Sequence, residues 1–295
     1  VEERFAHEWL GGALHRCRGR TCKLWERPSG LERRNPVTHP DVRTVLETAR
    51  EPWPARVHPD WLSRFPWLVQ GTTVRRHCGD PFDLGLFADA SPSRRVQKGW
   101  AKLREVVAVG RAVHAPQPHA AAVRVHAAGP PGLVVTDPCD GHVTGDPGVL
   151  LAVGLADCVP VFVVAPERRV VALLHAGWRG AAAGILERGL EVLAERFRVD
   201  PAEVVLHLGP SICGACYEVG PEVFRALGLP EPEAPTPMDL KGALAVRAEA
   251  AGVPMGEITR SGHCTRCGSD DLFFSHRGGD TGRHVAFLGV RGGAR

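Results

Sequence analysis

The sequence predicts an α+β protein of layered sheets and helices, on three observations. Short apolar runs that read as strands cluster at Leu150–Leu155, Val159–Val164 and Val170–Leu174, and Ala-Pro-Glu-Arg-Arg joins the last two as a hairpin turn. Apolar stripes of helical period lie at Val96–Val107, Gly180–Phe197 and Leu240–Ala251. Helices do not alternate strictly with strands, which argues against a doubly wound parallel sheet.

Residues 1–63 read as an extension, largely disordered or irregular. They are rich in Arg, Glu, Pro and Trp and lack sustained apolar periodicity. A short helix over Asp41–Ala49, capped by Asp41, is the one element expected there. From residue 64 to 295 the texture is that of a single folded domain. Trp67–Val74, Ala121–Val125, Gly132–Thr136 and Val204–Leu208 read as further strands. Gly220–Leu227 reads as a short helix, and Phe273–Ser275 and Val285–Leu288 as late strands. In the Gly180–Phe197 helix, Ile185, Leu186, Leu190, Val192, Leu193 and Phe197 form the buried stripe.

Composition excludes several classes. The 295 residues are 44% hydrophobic and 23% charged, as in globular proteins. A net charge of +3, from 36 basic and 33 acidic residues, gives no nucleic-acid or membrane surface. The longest apolar stretch, Val149–Val164, is interrupted by Asp157 and Pro160 and does not suit a bilayer span. The nine cysteines are odd in number in a chain too large to need disulfide staples, and no signal pattern opens it. A cytoplasmic setting is expected.

Costly polar groups stand where two strands end. Asp157 and Cys158 break one apolar run and His175 closes the next. With His119 they offer two imidazoles and a thiolate, a good zinc set that leaves a fourth position for water. A buried thiol with two hydrogen-bonded histidines is the other reading, and spacing alone does not separate them. Gly177-Trp178-Arg179-Gly180 runs into a predicted helix, so Arg179 and the helix start suit an anion, phosphate especially; a glycine-rich loop with Arg179 in a salt bridge is equally consistent. Arg277 and Arg283, set among glycines, suit anions or a solvated loop. Cys213/Cys216 and Cys264/Cys267 are two Cys-x-x-Cys pairs, open to structural zinc or redox chemistry. The 47 residues between Cys216 and Cys264 exceed zinc-ribbon spacing and favour separate buried or site-flanking thiols. Tyr217, the sole tyrosine, adjoins Glu218.

These segments resemble a known family. Asp157-Cys158-Val159-Pro160, His175-Ala176-Gly177-Trp178-Arg179-Gly180 and Cys216-Tyr217-Glu218-Val219-Gly220 are similar to signatures of the laccase-domain family. Its members were first called multicopper polyphenol oxidoreductases and are now regarded as zinc-dependent purine nucleoside phosphorylases. Gln117-Pro118-His119, Cys264-Thr265-x-Cys267 and the Phe-Ser-x-Arg…Thr-Gly-Arg ending match further segments. His276 stands where a tyrosine is usual, and Asp83-Leu84-Gly85 replaces Asn-Leu-Gly.

The resemblance implies an α/β/β/α catalytic domain over 64–295, often monomeric, with zinc on His119, Cys158 and His175. It implies phosphorolysis of adenosine, inosine, guanosine or methylthioadenosine, with adenosine deamination as companion activity. Asp157 or Glu218 would then manage a proton, and Arg179, Arg277 or Arg283 would hold phosphate. Cys158 and His175 could instead serve a hydrolase that edits cell-wall precursors. A copper oxidase fits less well, because no methionine accompanies the Cys/His set. A purely structural zinc is the non-catalytic alternative.

Overall fold

Strands that are apolar on both sides must be covered on both sides, and here that produces two sheets packed face to face with helices outside. The computed structural model describes residues 42–87, 92–268 and 271–292, and the backbone of the pair β1 (Arg16–Cys17) and β2 (Arg20–Thr21). Next come β3 (Arg43–Val45), β4 (Thr48–Ala49), β5 (Ala55–Val57), α1 (Pro59–Arg64), β6 (Leu68–Thr73), β7 (Arg76–His77), β8 (Asp80–Pro81) and α2 (Arg94–Val106). The middle of the chain is β-rich: β9 (Arg111–His114), β10 (Val123–Val125), β11 (Gly132–Val135), β12 (Gly141–Thr144), β13 (Val149–Leu155), β14 (Val159–Ala165) and β15 (Val170–Ala176). Then follow α3 (Trp178–Ala182), α4 (Ile185–Phe197), β16 (Val205–Leu208), β17 (Glu218–Val219), α5 (Pro221–Ala226), β18 (Thr236–Pro237), α6 (Leu240–Ala250), β19 (Ile258–Ser261) and β20 (His284–Val290).

One sheet runs β10-β12-β15-β14-β16-β19-β3, the other β11-β9-β13-β20-β6-β5-β4. Side chains alternate along each central strand. Leu151, Val153 and Leu155 of β13 meet Phe162, Val164, Val171 and Leu173 of the other sheet in the middle layer. Leu150 and Ala152 face α2, through Trp100 and Leu103. Val161, Val163, Ala172 and Leu174 face α4 and α6, through Leu186, Leu190, Leu193 and Leu244. The layers are therefore α/β/β/α, the predicted class.

Several elements differ from the sequence reading. Residues 42–63 are not an irregular extension. β3 pairs with β19, β5 pairs with β6, and Glu47 is 5% exposed, accepting hydrogen bonds from His207 Nε2 and Ser261 Oγ, both at 2.8 Å. Burial pushes the Glu47 carboxyl up, but these donors hold it below its ordinary value. Where a helix over Asp41–Ala49 was expected, the described part forms β3 and β4, because edge pairing with distant strands outweighs weak local propensity. The rest of that extension, apart from β1 and β2, lies outside the described residues.

The predicted Gly180–Phe197 helix is two helices. Gly184, at φ 85°, takes a left-handed conformation that ends α3 and restarts the chain as α4. Phe273–Ser275 forms no strand. Among the described residues, no helix is long and apolar enough to cross a membrane.

Candidate metal centre

Sheet register assembles the site. In the β14–β15 pairing Val159 lies opposite Ala176 and Pro160 opposite His175, which brings Cys158 and His175 to one end of the sheet. β12 pairs with β15 so that Gly141 faces Leu174, and His175 N donates to the Asp140 carbonyl at 2.7 Å. His119 arrives on the loop after β9, at φ 61°, a conformation uncommon outside glycine. His119 Nε2 or Nδ1, Cys158 Sγ and a His175 ring nitrogen then lie within 4.8 Å of one another.

Asp140 holds this arrangement. It is fully buried, and its Oδ1 accepts from His175 Nδ1 at 2.9 Å and from His119 N at 3.0 Å. Its Oδ2 accepts from Ala120 N at 2.7 Å. The His119 Nδ1 is 3.1 Å from the Gln117 carbonyl. With both Nδ1 atoms engaged, each ring offers Nε2 to a shared point, the usual build of a metal-binding histidine. Gly177 lets the chain pass close to the donors. A Cβ would stand 3.0 Å from Cys158 Sγ and 3.1 Å from His119 Cδ2. Two nitrogens and a sulfur with one side open fit a borderline-soft divalent metal.

The charges agree with that fit. Burial pushes the Cys158 thiol up, but neighbouring His175 and hydrogen bonds with His119 and His175 outweigh it and bring it down to about 6. Burial pushes His175 down, while the Cys158 thiolate and Asp140 raise it to about 9.

A pocket of about 360 Å³ opens beside the three donors, lined by Gly85, Leu86, Phe87, His114, Gln117, Gly154, Ala156, His276 and Arg283. Phe87 is 45% exposed and its ring lies 5.2 Å from that of His114. Burial drives His114 down to about 4, so it is neutral at pH 7, with Nδ1 3.0 Å from the Ala152 carbonyl. The Gln117 amide clasps Gly154, accepting from its N at 2.7 Å and donating to its carbonyl at 3.0 Å. Asp83 Oδ1 accepts from Gly85 N and Arg283 N, both at 2.9 Å, and so joins two rims of the pocket. A wider hollow of about 750 Å³ between Arg124, His126, Asp137, Arg188 and Glu195 contains no such donor set.

The other residues singled out from the sequence fall differently. Asp157 is buried beside Cys158 at φ 88°, and its carboxylate accepts from Thr265 Oγ1 at 2.6 Å and Arg277 N at 2.7 Å. Arg283 lines the pocket. Arg179 and Arg277 are exposed; Arg179 stacks 4.4 Å over Trp178, and Arg277 lies 5.3 Å over Tyr217. The α3 helix, in which Arg179 is the second residue, has only five residues, too few for the strong dipole expected of a long helix. Glu218 is exposed on β17, paired to β18, while Tyr217 is the residue turned inward. Burial pushes the Tyr217 hydroxyl up to about 12, and Cys158 and Asp157 add to this against Arg277 and Arg179.

The preference for separate thiols at the two Cys-x-x-Cys pairs does not hold. Cys213, Cys216, Cys264 and Cys267 gather with all four sulfurs within 4.8 Å of one another. Sequence reading missed Asp140 and Phe87. Asp140-Gly141 reads as a turn, and only its position between two apolar segments hinted at a buried carboxylate.

A two-sheet α/β/β/α domain with a His–Cys–His donor set at a pocket defines a metal-associated enzyme class. Residues 74–291 match the family described as multi-copper polyphenol oxidoreductase laccase, and the chain belongs to it. Over 166 residues it is 43% identical to the purine nucleoside phosphorylase YlmD of Geobacillus stearothermophilus, a match covering 52% of this chain and 60% of that protein. A purine nucleoside phosphorylase of Deinococcus radiodurans is 41% identical over 51% of this chain and 61% of its own length. Adenosine deaminase RL5, from an unknown prokaryotic organism, is 35% identical over 51% and 61%. The chain thus spans about three-fifths of these curated relatives in sequence. In structure it is similar to crystalline YlmD of Geobacillus stearothermophilus, with a TM-score of 0.75 and 32% identity over 84% of this chain and 99% of that one.

Proposed function

We propose that this protein is a zinc-dependent purine nucleoside phosphorylase acting on adenosine, inosine, guanosine or methylthioadenosine, with companion adenosine deaminase activity. The observation that carries the reading is the set of three donor atoms, His119, Cys158 and His175, facing a pocket of nucleoside size. The names of the relatives support purine chemistry. Two imidazoles and a thiolate suit zinc better than several coppers, and zinc there supplies a Lewis acid and an acidified water.

The chain's own residues do the rest. Asp140 fixes the tautomer and direction of His175 and the backbone that carries His119. Phe87 and neutral His114 offer a flat apolar wall for a purine. Arg283, the arginine lining the pocket, holds phosphate against the sugar, with Arg277 and Arg179 outside it as approach charges. Asp157, next to Cys158, would be the carboxylate to manage a proton; exposed Glu218 has the weaker claim. Metal-loaded protein incubated with adenosine should yield adenine and ribose 1-phosphate only when phosphate is present, or inosine with or without it. No product from adenosine, inosine or methylthioadenosine at full zinc occupancy would overturn the reading. The protein works in the cytoplasm as a monomer, and sedimentation tests the second point.

One observation favours a second reading. A Cys158 thiol brought down to about 6 beside a histidine is an activated nucleophile with its base, suited to amide or ester hydrolysis. Alkylation of Cys158 that is blocked by a peptide substrate, rather than by zinc, would select this reading.

A further inference from the structure

We infer that Cys213, Cys216, Cys264 and Cys267 form a second, four-cysteine zinc site that staples two loops behind the pocket wall. Metal–sulfur bonds of about 2.3 Å in a regular tetrahedron give sulfur–sulfur edges of about 3.8 Å. Cys213 Sγ and Cys267 Sγ are 3.7 Å apart, and all four sulfurs lie within 4.8 Å. An iron–sulfur cluster would hold its ligands further apart, because the cluster itself lies between them. All four cysteines are free.

The backbone is arranged for thiolates. Cys264 Sγ accepts N–H groups from Cys213 at 3.2 Å and from Arg266 and Cys267 at 3.4 Å each. Three donors converging on one sulfur favour its charged form. Zinc displaces the four thiol protons to water and leaves a centre of net charge −2. Two basic side chains lie beside the loops that carry it. Buried Lys241 donates to the carbonyls of Ser261 and His263 at 3.1 and 3.4 Å, and Arg266 Nη1 donates to the Cys216 carbonyl at 3.1 Å. With four protein ligands and no open position, the site is structural.

Its position gives it a purpose. Each Cys-x-x-Cys loop alone is short, and a bridge between Ser211 and Cys264 brings the two side by side. Ile212 N donates to the Asp157 carbonyl at 3.1 Å, and Thr265 Oγ1 to the Asp157 carboxylate at 2.6 Å. Asp157 precedes the pocket's Cys158. The staple therefore stiffens the frame that holds Cys158 and Tyr217, whichever reaction the pocket performs.

Metal analysis after zinc loading and exhaustive dialysis tests this. Wild type should retain about two zinc ions per chain, and His175→Ala, Cys264→Ser and Cys267→Ser about one each. The double variant His175→Ala with Cys264→Ser should retain none, and the cysteine variants should melt at lower temperature. If the cysteine variants do not fold, cobalt loading of His175→Ala decides. Intense sulfur-to-cobalt charge-transfer bands with tetrahedral ligand-field bands are expected, and their absence overturns the site. So would a single zinc in wild type that His175→Ala abolishes, iron with inorganic sulfide in place of zinc, or disulfides among these cysteines found by mass spectrometry.

Discussion

The two donor clusters differ in what surrounds them. His119, Cys158 and His175 come from three separate segments and face a cavity, and one buried carboxylate holds the two histidines. The four cysteines come from two short loops and face one another, with backbone N–H groups converging on Cys264 Sγ. Three ligands beside open space make a site for chemistry, whereas four closed ligands make a staple. A cysteine by itself does not separate them, since each cluster contains one or more free thiols. The count of donors and the direction of the empty position do.

The largest effect should come from His175→Ala. Turnover of the purine nucleoside should fall by roughly three orders of magnitude or more, because the metal leaves with the ligand. The melting temperature should move far less, since the cysteine cluster is untouched. Steady-state kinetics with a thermal melt separate the two results; an equal collapse of both would erase the distinction between reactive and structural sites.

Asp140→Asn should act next most strongly. The side chain keeps its size but loses the charge that orients His175, and metal affinity at the pocket should fall about 10- to 100-fold. Chelator competition measures this, and metal held by the four cysteines should show no change.

Thr265→Val probes the link between the clusters. It removes the donor to buried Asp157 and should cost about 1–3 kcal/mol of stability, read by denaturant titration. Activity should drop only a few-fold while both metals remain. A variant as stable and active as wild type would show that the two regions are independent.

The smallest effect is electrostatic and belongs to metal-stripped protein. Raised to about 9, His175 adds stability that is complete below its unfolded value near 6.5 and disappears as pH rises through 9. Lowered to about 6, Cys158 adds stability that is complete above its unfolded value near 9 and disappears as pH falls through 6. Together they describe one thiolate–imidazolium pair, strongest between about pH 6 and 9. The melting difference between stripped wild type and stripped Cys158→Ala should peak in that window. A flat difference from about pH 5 to 10 would show that the pair does not form.

Much of the central architecture was legible in the chain. The runs around Val149–Ala176 announce β13, β14 and β15 because both faces of each are apolar, and Cys158 and His175 mark where the runs stop. Strands of two or three residues, such as β3 and β5, carry no such pattern; they exist only through pairing with β19 and β6. Gly184 was visible as a glycine, but its left-handed φ, which divides α3 from α4, was not.

By itself, then, the sequence determined the layered class and the three central strands and marked Cys158 and His175 as costly groups at strand ends, since these follow from local periodicity and from the cost of placing polar groups in apolar runs. Only the tertiary structure decided that Asp140 orients His175, that Glu218 stays outside, and that two cysteine pairs separated by 47 residues become one cluster. Each of those depends on contacts between segments distant along the chain. Sheet register and loop packing set such contacts, and no local pattern encodes them.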